Sequence, residues 1–175
     1  ELFKETYEYI EKINNDLDKS IVSQLTNSVL TYSDLITNRK TDYKFDLEKF
    51  TNVNGKTGIY VQYSQVRAKK LLENIETKHS ELNDLILNDV DKELLSKLYL
   101  FTYFLEQSAV LNEPHHLANY LYEISNLFNQ FYESEKILEI DESDRLSSKM
   151  YITNLFLTTS QNVMWCLGIT PVSKM

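Results

Sequence analysis

Three glycines and two prolines are spread over 175 residues, and that scarcity restricts the fold more than any motif does. A sandwich or barrel of short strands needs a turn about every 8–12 residues, and turns of that kind consume glycine and proline. With 42% hydrophobic residues to bury, the chain requires long elements with few interruptions, which helices supply. The predicted class is all-α: an antiparallel helical bundle of four or five helices with a helical pair in front.

Periodicity places the elements. Leu2, Tyr7, Ile10 and Ile13 approximate helical spacing, and Asn14, Asn15 and Asp16 break that helix before a second over residues 19–35. Residues 34–54 read as a polar connector anchored by Phe45, Leu47 and Phe50, and they mark the expected domain boundary. A helix follows over about 58–77, then short helical pieces near 81–87. A single long helix is predicted over 91–111, because Leu94, Leu98, Phe101 and Leu105 step by 4, 3 and 4 along one face. Pro114 suits a first helical turn, and Leu117, Leu121, Ile124, Phe128 and Phe131 continue as a core face. Residues 141–144 offer capping oxygens ahead of a last helix over 145–167, whose predicted buried face is Leu146, Met150, Leu157, Met164 and Leu167. Gly168 and Pro171 end it.

The net charge of −8 argues by itself against a nucleic-acid partner. It conceals an asymmetry, because residues 37–70 hold eight basic side chains against three acidic ones. Screening limits each charge to about 8–10 Å, so an acidic body can still hold a polyanion locally. The single cysteine, Cys166, lies in the apolar run VMWCLGI and is expected to be a buried thiol in a reducing, cytoplasmic protein. No run approaches the length of a membrane span and the amino end lacks a leader layout, so a soluble protein is expected. The first residue is not Met and the pattern opens inside an amphipathic helix, as in a piece of a longer chain.

Catalytic constellations are absent from the sequence. His115 and His116 are adjacent and diverge by about 100° on a helix, so they are not expected to share a metal. Neither G-x-x-x-x-G-K-[ST] nor G-x-G-x-x-G occurs. No catalytic residue and no metal are predicted.

The stretch NGKTGIYVQYSQVRAKK, residues 54–70, is the most informative. On a helix starting near Gly58, Tyr60, Tyr63 and Arg67 fall within a sector of about 60°, about a quarter turn from Val61, Ala68, Leu72 and Ile75. Two phenol rings and a guanidinium at the margin of a core can stack an unpaired base and hold a phosphate or base edge. The turn before the helix is expected to leave free backbone N–H groups for an anion. Half-buried boundary residues explain the same stripe without any ligand, and a groove for a partner helix is a further reading.

The string GKTGIYVQYSQVR resembles the G-N-T-G-P-Y-L-Q-Y-x-x-x-R signature that opens the DALR-type anticodon-binding domain of arginyl-tRNA synthetases. YSDLITNRKTDYKFDLEKF upstream, EPHHLANYLYEISNLFNQFYE downstream and the tail LGITPVSKM are similar to further segments of that family, in order. Ile59 stands where the family usually has Pro, Lys56 where it often has Asn, and the tail is one residue longer before its Met. The resemblance implies a tRNA-binding piece of an arginine-tRNA ligase active in protein biosynthesis, with residues 1–57 the helical tail of the synthetase body and 58–175 the anticodon-binding bundle. It implies no cofactor in this piece, with ATP and Mg used by the parent enzyme, whose HIGH-like and KMSKS-like motifs are missing here. The implied partner is the anticodon loop of tRNA-Arg, with no DNA and no membrane, and the protein is expected to be a monomer. Carried over position by position, Tyr60, Tyr63, Arg67, Tyr132 and Met175 face the anticodon, and Lys136 replaces an aromatic ring with a phosphate contact. Lys56 and Lys70 add charge beside them. The domain of another class I synthetase stays open as an alternative.

Overall fold

Asp46 and Asn88 each sit one residue ahead of a helix and take up backbone N–H groups that the first turn leaves unpaired. Asp46 accepts from the Lys49 amide at 3.0 Å, and Asn88 forms a reciprocal capping box with Asp91. The computed structural model describes residues 1–14, 16–74 and 84–175, and every α-helix or 3-10 turn named below lies among them. The helices are α1 (Leu2–Ile13), α2 (Lys19–Leu35), α3 (Leu47–Phe50), α4 (Gly58–Asn74), α5 (Asp89–Leu98), α6 (Phe101–Leu111), α7 (His115–Ser134) and α8 (Ser143–Cys166), with a 3-10 turn at Ile137–Glu139. The all-α class is as expected, and no described residue is in a strand.

Two apolar clusters flank α4. The larger joins Val61, Ala68 and Leu71 of α4 to α5, α7 and α8, and includes Tyr32 of α2. The smaller joins Ile59 and Val66 of α4 to Ile10, Val22, Leu25 and Val29 of α1 and α2, with Val172 of the tail. Burial on two sides leaves α4 one free strip. Leu71 rather than Leu72 is the deeply buried leucine, and Ile75 lies outside the described residues. The α2–α4 crossing is close: a Cβ on Gly58 would stand 2.4 Å from the Ser28 carbonyl oxygen. Only hydrogen fits there.

The predicted long helix over 91–111 is two helices broken at Tyr99 and Leu100. The Tyr120 hydroxyl explains how the break is tolerated. It is directed at the carbonyls of Lys97 and Leu98, 3.2 and 3.1 Å away, adding a partner to carbonyls at the break, of which Lys97 also accepts the Leu100 amide at 3.1 Å. Leu94 and Leu98 are buried, whereas no residue of α6 is, and Phe104 stacks on Tyr120 at 4.7 Å. The helical pieces expected near 81–87 are not found at 84–87, and 81–83 lie outside the described residues.

Met164 and Leu167 are buried as predicted for the last helix, but the rest of the buried face differs. Ile152, Phe156, Val163 and Met164 are inside, while Leu146, Met150 and Leu157 lie half-buried at the edge. Polar residues disguise the true face, since Ser148, Lys149, Thr153 and Ser160 are all buried on it. The hydroxyls bond back to carbonyls of their own helix, as Thr153 does to Lys149 at 2.8 Å, so their burial leaves no orphan donor. Capping at residues 141–144 is not by side chain, because Glu142 holds the cap position without such a bond. Cys166 is exposed, not buried: with Val163, Met164 and Leu167 facing inward, the helical period turns Trp165 and Cys166 outward.

Candidate nucleic-acid interface

Thr57 starts α4. Its hydroxyl donates to the Asn52 carbonyl at 2.6 Å and accepts the Tyr60 amide at 3.1 Å, so one of the N–H groups expected to be free for an anion is already taken. Gly55, at φ 89°, makes the preceding turn. From that start, Tyr60, Tyr63, Arg67 and Lys70 share one strip of α4, with Tyr60 packed against the edge of the larger cluster. Tyr63 is 39% exposed and Tyr60 half-buried.

Arg67 lies at the centre. Its guanidinium carbon sits 4.7 Å from the Tyr63 ring centre and 4.6 Å from that of Tyr132, so the planar cation is flanked by two aromatic faces. It donates to the Tyr63 hydroxyl at 2.6 Å, to Asn129 Oδ1 at 3.0 Å and to Glu133 Oε1 at 3.2 Å. Asn129, itself held by a 2.8 Å bond to Ser64 Oγ, fixes the plane. With 19% of its side chain exposed, Arg67 is a fitted wall rather than a waving surface charge.

That wall separates two grooves. One, of about 450 Å³, is lined on α4 by Tyr60, Tyr63 and Arg67 and on α7 by Asn126, Asn129 and Glu133. The other, of about 280 Å³, is lined by Tyr63, Arg67, Lys70, Tyr132, Leu138 and Met175. The structure therefore brings together six of the predicted residues: Tyr60, Tyr63, Arg67, Lys70, Tyr132 and Met175. Lys56 and Lys136 stand outside both grooves. Lys56 bonds Asn119 at 2.7 Å and lies 5.4 Å from the centre of the Tyr122 ring, and Lys136 pairs with Glu139 at 3.0 Å.

The tail reaches the site through Gln62. Its Nε2 donates to the Thr170 carbonyl and to Ser28 Oγ, each at 2.8 Å, and its Oε1 accepts the Val172 amide at 3.0 Å. This fully buried amide clamps the last residues to α4 and α2 and so sets Met175 at the groove. Tyr60 donates to Asn126 Oδ1 at 3.3 Å, and burial pushes its pKa up, keeping the phenol neutral.

Sequence reasoning missed Asn126, Asn129 and Glu133. Their steps of 3 and 4 form a polar stripe on an amphipathic helix, a signal that was available. Tyr122, whose ring centre is 5.6 Å from that of Tyr60, was also missed. Two rings, a wedged guanidinium, amides and an exposed lysine are equipment for unstacked bases and their phosphates, and nothing in the set activates a nucleophile or moves a proton.

Residues 61–175 match the family model described as the DALR anticodon binding domain. Over 169 residues the chain is 32% identical to the arginine–tRNA ligase of Alkaliphilus oremlandii, covering 93% of this chain and 29% of that protein. It is 32% identical over 151 residues to the enzyme of Francisella tularensis subsp. novicida, covering 81% of this chain and 26% of that protein. The chain thus spans less than a third of these relatives. Among solved structures, arginyl-tRNA synthetase from Plasmodium falciparum superposes with a TM-score of 0.86 at 24% identity, covering 99% of this chain and 33% of that one. The Thermus thermophilus enzyme gives 0.84 at 21% identity, covering 99% and 31%.

Proposed function

The chain belongs to the DALR anticodon-binding domain family, and from that premise we propose that it recognises the anticodon loop of an arginine tRNA as the RNA-reading part of an arginine–tRNA ligase. The observation that carries this reading is the Arg67 guanidinium held between Tyr63 and Tyr132 at the border of two grooves. Arginine codons share a central G, so the matching anticodon base is always C. Splayed into the groove of Tyr63, Tyr132 and Met175, that cytosine stacks on a ring while amide or guanidinium groups meet its pairing edge. Stacking of this kind supplies about 1–3 kcal/mol per base.

On this reading the piece performs no chemistry of its own. Arginine activation with ATP and Mg takes place in the remainder of a cytoplasmic, monomeric parent enzyme. Residues 1–57 belong to the body that conveys anticodon occupancy, and 58–175 form the RNA-reading bundle. No helix among the described residues is long and apolar enough to cross a membrane.

Binding of the chain to an arginine anticodon stem-loop, and to the same loop with its central C replaced, tests the reading. The expected outcome is at least about a tenfold preference for C, with affinity falling steeply between about 50 and 200 mM salt. Equal affinity for the two loops, or binding insensitive to salt, refutes it and favours a groove for a partner helix.

A further inference from the structure

At the tight turn between α6 and α7 the side chains of His115 and His116 do not diverge as expected. Asn112 adopts the left-handed conformation at φ 52°, and the Glu113 amide donates back to the Ser108 carbonyl at 3.0 Å. This folds the Glu113 carboxylate over the first turn of α7, where the ring centres of His115 and His116 are only 4.2 Å apart. The two rings meet although their backbone positions on the first turn of α7 are about 100° apart.

From this juxtaposition the geometry points to a binding site for a divalent transition cation such as Zn²⁺, formed by Glu113, His115 and His116. One ligand atom from each residue lies within 4.8 Å of the others. A tetrahedral ion with bonds of about 2.0–2.1 Å requires ligand atoms about 3.3 Å apart. His116 Nε2 and Glu113 Oε2, 3.2 Å apart, already meet that edge, and side-chain rotation of His115 closes the rest. Two imidazoles and a carboxylate make a donor set suited to zinc, nickel or copper rather than to magnesium or calcium. The three protein ligands leave a coordination position for water.

His115 supplies an independent observation. Its Nδ1 is buried without a hydrogen-bond partner, an orphan that coordination of an ion at that nitrogen would satisfy.

Two features oppose a cation, and both are local. The amino end of α7 carries partial positive charge, which neutral imidazoles do not aggravate. The Lys40 ammonium lies 3.4 Å from Glu113 Oε1. Its side chain is 72% exposed on a flexible stem, so an arriving ion displaces it into solvent.

Titration of the metal-stripped chain with Co²⁺, followed by its visible ligand-field bands and by displacement with Zn²⁺, tests the site. One equivalent should bind. E113Q and H116Q should each weaken Zn²⁺ affinity at least about tenfold, and K40M should strengthen it. Unchanged affinity in H115Q/H116Q, or no stoichiometric binding at millimolar Zn²⁺, overturns the proposal. Should the double variant fail to fold, imidazole proton resonances of the intact chain decide: Zn²⁺ shifts at His115 and His116 support the site, and shifts at His79 alone overturn it.

Discussion

The ammonium of Lys149 lies 2.7 Å from the carboxylate of Asp91, and neither side chain is accessible to solvent. Arg145 pairs with the other Asp91 oxygen and, at 2.6 Å, with Glu135, while the Phe131 ring centre lies 4.3 Å from the Lys149 ammonium. This network fastens the start of α5 and the end of α7 to the start of α8. Burial pushes the Asp91 carboxyl up, but bonds from Lys149, the Asn88 amide and Arg145 prevail and hold it below its ordinary value. The Arg145 hydrogen bond lowers Glu135 as well.

Depressed carboxylate pKa values contribute stability above the unfolded value of about 3.9–4.3 and lose it as pH falls through the folded value. D91N leaves Lys149 and Arg145 with Glu135 as their one shared counter-charge, so it should cost about 3–5 kcal/mol at pH 7. Urea unfolding at pH 7 and at pH 3 checks the sign: the gap to the parent chain should narrow in acid.

Arg67 separates charge from shape. In R67K the charge remains, but lysine cannot fill the slot between two rings or bond Asn129, Glu133 and Tyr63 together. Stem-loop affinity should fall at least about tenfold, with about 1–2 kcal/mol lost in thermal unfolding. A large drop in melting temperature with RNA affinity intact would assign the residue to the fold alone.

Gln62 is an internal strap. Q62A leaves the Val172 amide and the Thr170 carbonyl without their partner and should cost about 1–3 kcal/mol. Because Met175 follows that segment, hydrogen exchange of residues 170–175 should accelerate, and stem-loop affinity should fall more than the stability loss explains.

Gly58 is required by contact. An alanine methyl 2.4 Å from the Ser28 carbonyl oxygen forces α2 and α4 apart, so G58A should destabilise by about 1–3 kcal/mol or more. Denaturant midpoints measure this. An unchanged midpoint would show that the crossing gives way without strain.

Helix positions were largely legible because burial imprints a period of 3.6 residues. The sequence reading of a helix over 19–35 coincides with α2, and Leu117, Leu121, Ile124, Phe128 and Phe131 are all buried as expected. Failures arose where burial is polar or where a break is repaired from elsewhere. Lys149 is a core residue only because Asp91, 58 positions earlier, meets it. The break at Tyr99 and Leu100 is supported from 20 positions on, where the Tyr120 hydroxyl reaches the carbonyls of Lys97 and Leu98.

The same division holds for the interface. Residue order by itself determined that Tyr60, Tyr63 and Arg67 share one strip of a helix, since about 100° per residue is a local property of the backbone. Only the tertiary structure decided that Tyr132 closes the far side of Arg67, that Asn129 and Glu133 orient it, and that Gln62 brings Met175 to the groove. Those contacts join residues 62–110 positions apart, whose approach depends on two cores packing against opposite sides of α4. Spacing along the chain carries no record of that distance.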